Sequence, residues 1–372
     1  MEIQKYLQQM EELQSLVLIL LDNSEFDESD YKNLIQFITK HEIQTKKDNL
    51  QHFLQILSNI YSKHHRDVGF SSKIEKILLE FQSNIKQTLS NSSLYNIFQS
   101  NKGILLFLLN QNILTLDESI FYSIIETREE NGVKFCHFFI PEIKKFAEER
   151  GIKIDESELF DLEPDDLVNY EDKRKMGENE SYVCALIRQD LVEEFVSFVT
   201  RSNFNLKSQI KKSIYETHSF LNSVNPTLIE YAAFFGSIQI FQYLMMNNAE
   251  YDESLWLYAI HSNNAELIHV IEGMKIISSY EKCFVESIKC HHNEIANYIF
   301  NNYMNENQPI SSYFQLCFEY HNFSFFTEKF NESQLFCFFC NSNYLAIVKL
   351  LLLDRKDEIE SATTILLFII FK

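Results

Sequence analysis

The sequence predicts an all-α protein: a helical-hairpin solenoid over 181–372, preceded by an N-terminal helical region. Three observations carry that prediction. The 372 residues hold 7 glycines and 4 prolines, where an average soluble chain of this length has about 26 and about 19, so helices joined by short loops are favoured over turn-rich β architecture. Apolar residues recur at helical spacing through the first hundred positions. From about position 181 a unit repeats at 27, 28 and 30 residues and then at about 22, the signature of stacked repeats.

In chain order, "KKDNLQHFLQILSNIYSK" places Leu50, Phe53, Leu54, Leu57 and Tyr61 on one helical face, and "SKIEKILLEFQSNIKQTL" does the same with Ile74, Ile77, Leu78, Phe81 and Ile85. These are helices of a bundle or a solenoid cap. "FFIPEIKKFAEERGIKI" is a helix with Pro141 in its first turn and Gly151 at its end. The region 1–154 is therefore read as helical, with a degenerate copy of the later repeat near 100–150. That copy rests on "LFLLNQNILTLDESIFYSII" (Leu106–Ile125), which lies on "FQYLMMNNAEYDESLWLYAI" (Phe241–Ile260) at an offset of 135 and shares its "DES". The segment 155–180 has 11 acidic and 3 basic residues and is expected to be an exposed acidic linker, with an acidic docking segment as the alternative.

The repeat is clearest in "LIEYAAFFGSIQIFQYL" (Leu228–Leu244), followed by "LWLYAIHSNNAELIHVI" and "CFVESIKCHHNEIANYI". "YVCALIRQDLVEEFVSFV" reads as a first copy, and "YFQLCFEYHNFSFFTEKF" and "LFCFFCNSNYLAIVKLLL" as later, looser ones. Small residues are wanted where backbones approach, hence Ala232 and Ala233. The turn between helices wants a left-handed residue, hence Gly236, with Asn263 and Asn343 at the equivalent places.

The stretch from Thr227 resembles an ankyrin repeat: Thr227, Leu228, Ala232, Ala233, Gly236, Ile240, Leu244, Ala249 and Glu250 fall on matching or near-matching places of that pattern. Over about 180 to 360 the chain looks like the divergent ankyrin-repeat family of parasitic protists whose repeats accompany a domain of unknown function. The resemblance implies an ankyrin-like solenoid that binds proteins. The departures are a "TPLH" turn reduced to Thr227 and copies shorter than the usual 33 or so residues, so the projecting hairpins are expected to be short or absent. A purely helical α-solenoid is the alternative.

Several function classes are disfavoured. The closest glycines are Gly132 and Gly151, so no glycine-rich phosphate cradle or nucleophile elbow can form. A net charge of −20 repels phosphate backbones and anionic membrane surfaces, so nucleic acid is not expected as a partner. The apolar runs at Ser15–Leu21 and Ile365–Phe371 are too short to span a bilayer, and Glu11 and Glu12 precede the first where a signal peptide would be basic. Seven scattered cysteines are read as reduced thiols of an intracellular, cytoplasmic protein. The apolar end "ATTILLFIIFK" resembles the first helix of a further repeat and suggests truncation, self-association or burial.

Cys317-x3-His321-x15-Cys337-x2-Cys340 has zinc-like spacing, but Cys317 and Cys340 fall where the best copy has core alanine, and the core reading is preferred. Cys283 and Cys290 are likewise read as core, His291 and His292 as solvated, and His64–His65 as a polar helix end. Trp256 is expected to be part-buried on an inner helix. No catalytic, cofactor-binding or metal-binding residue is assigned and no cofactor is expected. The resemblance places the two residues before each turn on the concave face: Phe234–Phe235, His261–Ser262, Lys289–Cys290, Glu319–Tyr320 and Asn341–Ser342. Adjacent phenylalanines on a helix point about 100° apart, so at least one of Phe234 and Phe235 is expected to reach solvent. The candidate partner-binding residues are Phe234, Phe235, His261, Ser262, Lys289, Glu319, Tyr320, Asn341 and Ser342. The expected function is a non-catalytic intracellular scaffold that presents this face to a protein partner. The alternatives are a regulatory or host-directed effector using the same solenoid, and an enzyme with an unrecognised helical active site.

Overall fold

The computed structural model describes residues 2–23, 25–66, 69–127, 133–155, 159, 162, 167–276, 279–304, 313–325 and 345–354. The described residues are helical and contain no strand; one isolated antiparallel bridge joins Gln209 and Thr227. The helices are α1 (Glu2–Asp22), α2 (Glu28–Lys40), α3 (Lys47–Lys63), α4 (Phe70–Glu80), α5 (Gln82–Thr88), α6 (Asn91–Phe98), α7 (Lys102–Asn110), α8 (Glu118–Glu126), α9 (Ile140–Arg150) and α10 (Tyr170–Met176). Then follow α11 (Tyr182–Arg188), α12 (Val192–Ser202), α13 (Ser219–Ser223), α14 (Leu228–Phe235), α15 (Ile238–Met246), α16 (Leu255–His261) and α17 (Ala265–Gly273). The last are α18 (Tyr280–Lys289), α19 (Asn293–Tyr303), α20 (Phe314–Glu319) and α21 (Leu345–Asp354). No described helix is long and apolar enough to cross a membrane.

The chain divides into two compact units at places that differ from the expected 1–154, 155–180 and 181–372. One comprises Met1–Asn59, Arg66–Thr88 and Met304–Lys372; the other comprises Ile60–His65 and Leu89–Tyr303. In the first unit α1 packs on α2, α4, the 3-10 turn Phe323–Phe325 and α21, so its apolar face is completed by segments far away in sequence. The buried Gln14 side chain donates to Asn322 Oδ1 (3.1 Å) and accepts from the Phe323 backbone N–H (2.7 Å). Buried Lys73 donates to the carbonyls of Leu21 and Asn23 at the end of α1, where cationic donors complement unsatisfied carbonyls. The predicted faces Leu50–Tyr61 and Ile74–Ile85 are buried, but the second is two helices, broken at Phe81 (φ −101°, ψ 12°).

In the second unit four helix–turn–helix hairpins follow one another: α11–α12, α14–α15, α16–α17 and α18–α19. Their first helices pack in series, α11 on α14, α14 on α16 and α16 on α18, and α12 packs on α15. The turns repeat a left-handed residue at Asp190 (φ 50°), Gly236 (67°), Asn263 (52°) and His291 (61°). In three of the four, the next backbone N–H closes a Schellman bond: Leu191 to Leu186 O, Ser237 to Ala232 O and His292 to Ser287 O. The turns before the two "DES" segments are alike, though one residue out of the register of that alignment. Asn112 and Asn248 are both left-handed (51° and 57°), followed by Ile113 N–H to Leu108 O and Ala249 N–H to Leu244 O.

Two pairs of neighbouring hairpins are tied through the residue after a turn. Ser237 Oγ donates to Ile187 O (2.5 Å), and His292 Nδ1 donates to Ile260 O (2.7 Å); both carbonyls belong to the residue three before the preceding turn. The described part of 155–180 packs rather than dangling. Arg174 on α10 is buried, bonded to Glu142 (2.6 Å), Glu171 (2.8 Å) and Phe138 O (3.2 Å). Trp256 is more buried than expected, at 1 % exposure. Residues 361–372, with the apolar end, lie outside the described residues.

Candidate functional site

The pre-turn pairs divide into one inward and one outward residue per hairpin. At the end of α14, Phe234 is buried and Phe235 half-buried. At the end of α16, His261 is fully buried and Ser262 half-buried; at the end of α18, Cys290 is fully buried and Lys289 half-buried. Phe234 and His261 are thereby corrected: they are interior residues and line no open face. Phe235, Ser262 and Lys289 form the accessible remainder. In the other unit Glu319 is exposed and Tyr320 half-buried. Asn341 and Ser342 lie outside the described residues, as do Cys337 and Cys340. Of the zinc-like spacing, Cys317 is a buried core residue, and His321 bonds to Asn59 (2.7 Å) and Gln55 (3.3 Å).

The inward residues assemble a polar and aromatic network. The His261 ring lies against Phe220 (4.1 Å between centroids), Phe234 (5.1 Å) and His218 (5.4 Å). Its Nε2 donates to Glu286 Oε1 (3.1 Å), so its Nδ1 is the acceptor that faces Cys290 Sγ (3.3 Å). Burial lowers the His261 pKa and keeps the ring neutral. Burial pushes Glu286 up, but the hydrogen bond from His261 and the ammonium of Lys289, 3.2 Å away, outweigh it and bring the carboxyl down to about 2. Cys290 goes the other way: burial, then the Glu286 charge, raise its thiol well above the ordinary value. The order sulfur–imidazole–carboxylate is that of a nucleophile with its base and orienting group, yet the sulfur is fully buried and stays a thiol. In this state the network joins α16 to α18 and activates no nucleophile.

A second cluster lies close by. His64 and His292 are buried and His65 is half-buried; His291 is buried too, which corrects the expectation that His291–His292 are solvated, while His64–His65 do follow the end of α3 but pack inward. His64 Nδ1 donates to Cys290 O (2.6 Å), and His65 Nδ1 lies 3.0 Å from His292 Nε2. Burial, then the neighbouring histidines, push the His292 pKa well below its ordinary value. Among the described residues two groups bring three possible metal-donor atoms within 4.8 Å of one another: His64, His65 and His292, and His261, Glu286 and Cys290. The signal in the sequence was the paired doublet, His64–His65 and His291–His292, which no periodicity connects.

A cavity of about 320 Å³ in the same unit is lined by Gln99, Ser100, Thr127, Phe135 and Asn222 among others, with Lys102 as its charged group. Among the described lining residues Lys102 is the one titratable side chain, which is not the convergent set an active site needs. In comparisons with protein-family models, curated proteins and solved structures, nothing matches this chain, so no shared family identifies it and its reading rests on its own residues and packing.

Proposed function

We propose that the protein is a non-catalytic interaction scaffold of ankyrin-like, α-solenoid design that works in the reducing interior of the cell and holds a protein partner on its hairpin array. One observation supports this above the rest: the first helices of four successive hairpins pack in series, with a hydrogen bond between each hairpin and the next. Such an array is rigid along its length and presents equivalent positions at regular intervals. Phe235, Ser262 and Lys289 are the accessible pre-turn positions on this array; they offer an aromatic, a hydroxyl and a cation, the mixed chemistry of a protein-binding patch. The cytoplasmic setting is supported by Cys136, Cys184, Cys290 and Cys317, which form no disulfide.

The test is affinity capture with the full chain against a Phe235→Glu, Ser262→Arg, Lys289→Glu variant. Phe234 and His261 stay unchanged because they are core. Selective loss of one protein from the variant, with unaltered circular dichroism, is the expected result. Identical captures would remove these residues from the interface.

A further inference from the structure

We propose that His64, His65 and His292 form a binding site for a zinc-class divalent metal ion. A protein ligand for such an ion is a neutral imidazole whose other ring nitrogen donates to a fixed acceptor. Two of the three meet that description without rearrangement. Carbonyl oxygens only accept, so His64 carries its proton on Nδ1 toward Cys290 O and His292 carries its own on Nδ1 toward Ile260 O. In each ring Nε2 is then the nitrogen that can serve as a ligand atom. His65 Nδ1 then donates to His292 Nε2 in the metal-free protein, at 3.0 Å. Two nitrogens bound about 2.0–2.1 Å from a tetrahedral ion sit roughly 3.3 Å apart, so this pair is already near ligand spacing. Binding asks His65 to move its proton from Nδ1 to Nε2, and the third donor atom, from His64, already lies within 4.8 Å of the other two. A water fills the fourth position from the half-exposed His65 side.

The comparison between hairpins sharpens the point. Ser237 ties its hairpin to the preceding one with a single hydroxyl. His292 does the same job at the equivalent place, and the imidazole adds a second nitrogen that the tie does not use. That nitrogen meets His65. The neighbouring His261, Glu286 and Cys290 are weaker ligands for the ion. There the imidazole and carboxylate already satisfy each other and Lys289 neutralises the carboxylate. A metal at His64, His65 and His292 would staple residues 64–65 to the α18–α19 hairpin within one compact unit.

The experiment strips the full-length protein of metal and titrates it with Co2+, then with Zn2+, beside His65→Gln and Cys290→Ser variants. Expected are about one equivalent bound, ligand-field bands of a low-symmetry nitrogen site without an intense thiolate charge-transfer band, and displacement by Zn2+. His65→Gln should weaken binding by about tenfold to a hundredfold, and Cys290→Ser should leave it unchanged. Absence of stoichiometric binding overturns the proposal. So does a thiolate band in the wild type, which decides the matter even if a variant fails to fold. Loss in Cys290→Ser with retention in His65→Gln overturns it too, by moving the ion to the neighbouring group.

Discussion

Asp190 does two jobs that substitution can separate. Its backbone is left-handed, with φ 50°. Its carboxylate accepts from the backbone N–H groups of Gln239 (3.0 Å) and Ile240 (2.9 Å). Those groups open α15, whose own N-cap residue, Ser237, makes no side-chain cap. A lost N-cap costs about 1 kcal/mol, up to about 2, and an alkyl side chain forced left-handed costs roughly 1–2 kcal/mol. Asp190→Ala removes the cap and keeps the strain, for a loss of about 1–2 kcal/mol. Asp190→Gly removes the cap but relieves the strain, leaving a loss of about 1 kcal/mol or less. Asp190→Asn keeps one acceptor and tolerates the conformation, so it should cost least. For a unit of this size 1 kcal/mol shifts Tm by about 2–4 °C, so alanine should lower it by roughly 2–8 °C. Thermal melts by far-UV circular dichroism read all three. A glycine variant as unstable as the alanine one would refute the strain component. An alanine variant within a few tenths of a kcal/mol of wild type would refute the cap.

A Cβ on Gly103 would collide with the Tyr61 hydroxyl, so Gly103→Ala should cost about 1–2 kcal/mol net of its gain in helix propensity. In a Tyr61→Phe background that loss should vanish, and a double-mutant cycle showing no coupling would contradict it. Thr227 and Glu230 form a reciprocal capping box on α14, and Ser254 also donates to Glu230; Thr227→Ala should lower the urea midpoint by an amount worth about 1 kcal/mol, and Glu230→Ala by more. Stability should fall with acid in two stages. The neutral, buried His261 has a lowered pKa, so the unfolded chain takes up protons first as pH drops through about 6.5. The Glu286 carboxyl, held near 2, contributes stability above its unfolded pKa of about 4.3 and loses it between there and about 2. His261→Gln should flatten the first stage, and an unchanged slope between neutral pH and 5 would show that the ring is not held neutral.

Much of the helical character was legible because burial imposes a period. The faces at Leu50–Tyr61 and Ile74–Ile85, and the pairing of α14 with α15, follow from spacing alone. What spacing cannot encode is which distant segment covers an apolar face. Nothing along the chain links α1 to Phe323–Phe325 or α21, so the compact units begin and end where the sequence shows no boundary. Histidine was misread for a different reason. Its side chain is equally at home in water and in a satisfied interior, and only the meeting of residues 64–65 with 292 decides between them. Phe234 and His261 were placed on an open face by analogy with a repeat pattern. In this chain the analogous position turns inward, because Phe220 and the His218 ring pack against both.

The scarcity of glycine and the network between hairpins have a common cause. A Schellman turn needs a left-handed residue, and glycine takes that conformation at least cost. This chain uses glycine at Gly236 but Asp190, Asn263 and His291 at the other hairpin turns. Each of those accepts about 1 kcal/mol of strain and keeps a side chain. At Asp190 the side chain caps the next hairpin's helix, and one residue past the turn Ser237 and His292 reach back to the previous hairpin. A repeat array is only as cooperative as its interfaces between neighbours. Polar ties at the Asp190, Gly236 and His291 turns set the register of one hairpin on the next, which apolar stacking alone leaves loose. If that reasoning holds, placing glycine at 190 should cost little in global stability yet raise hydrogen exchange at Gln239 and Ile240 in particular. Uniform acceleration across α15 would instead mean that the tie contributes bulk stability and no register.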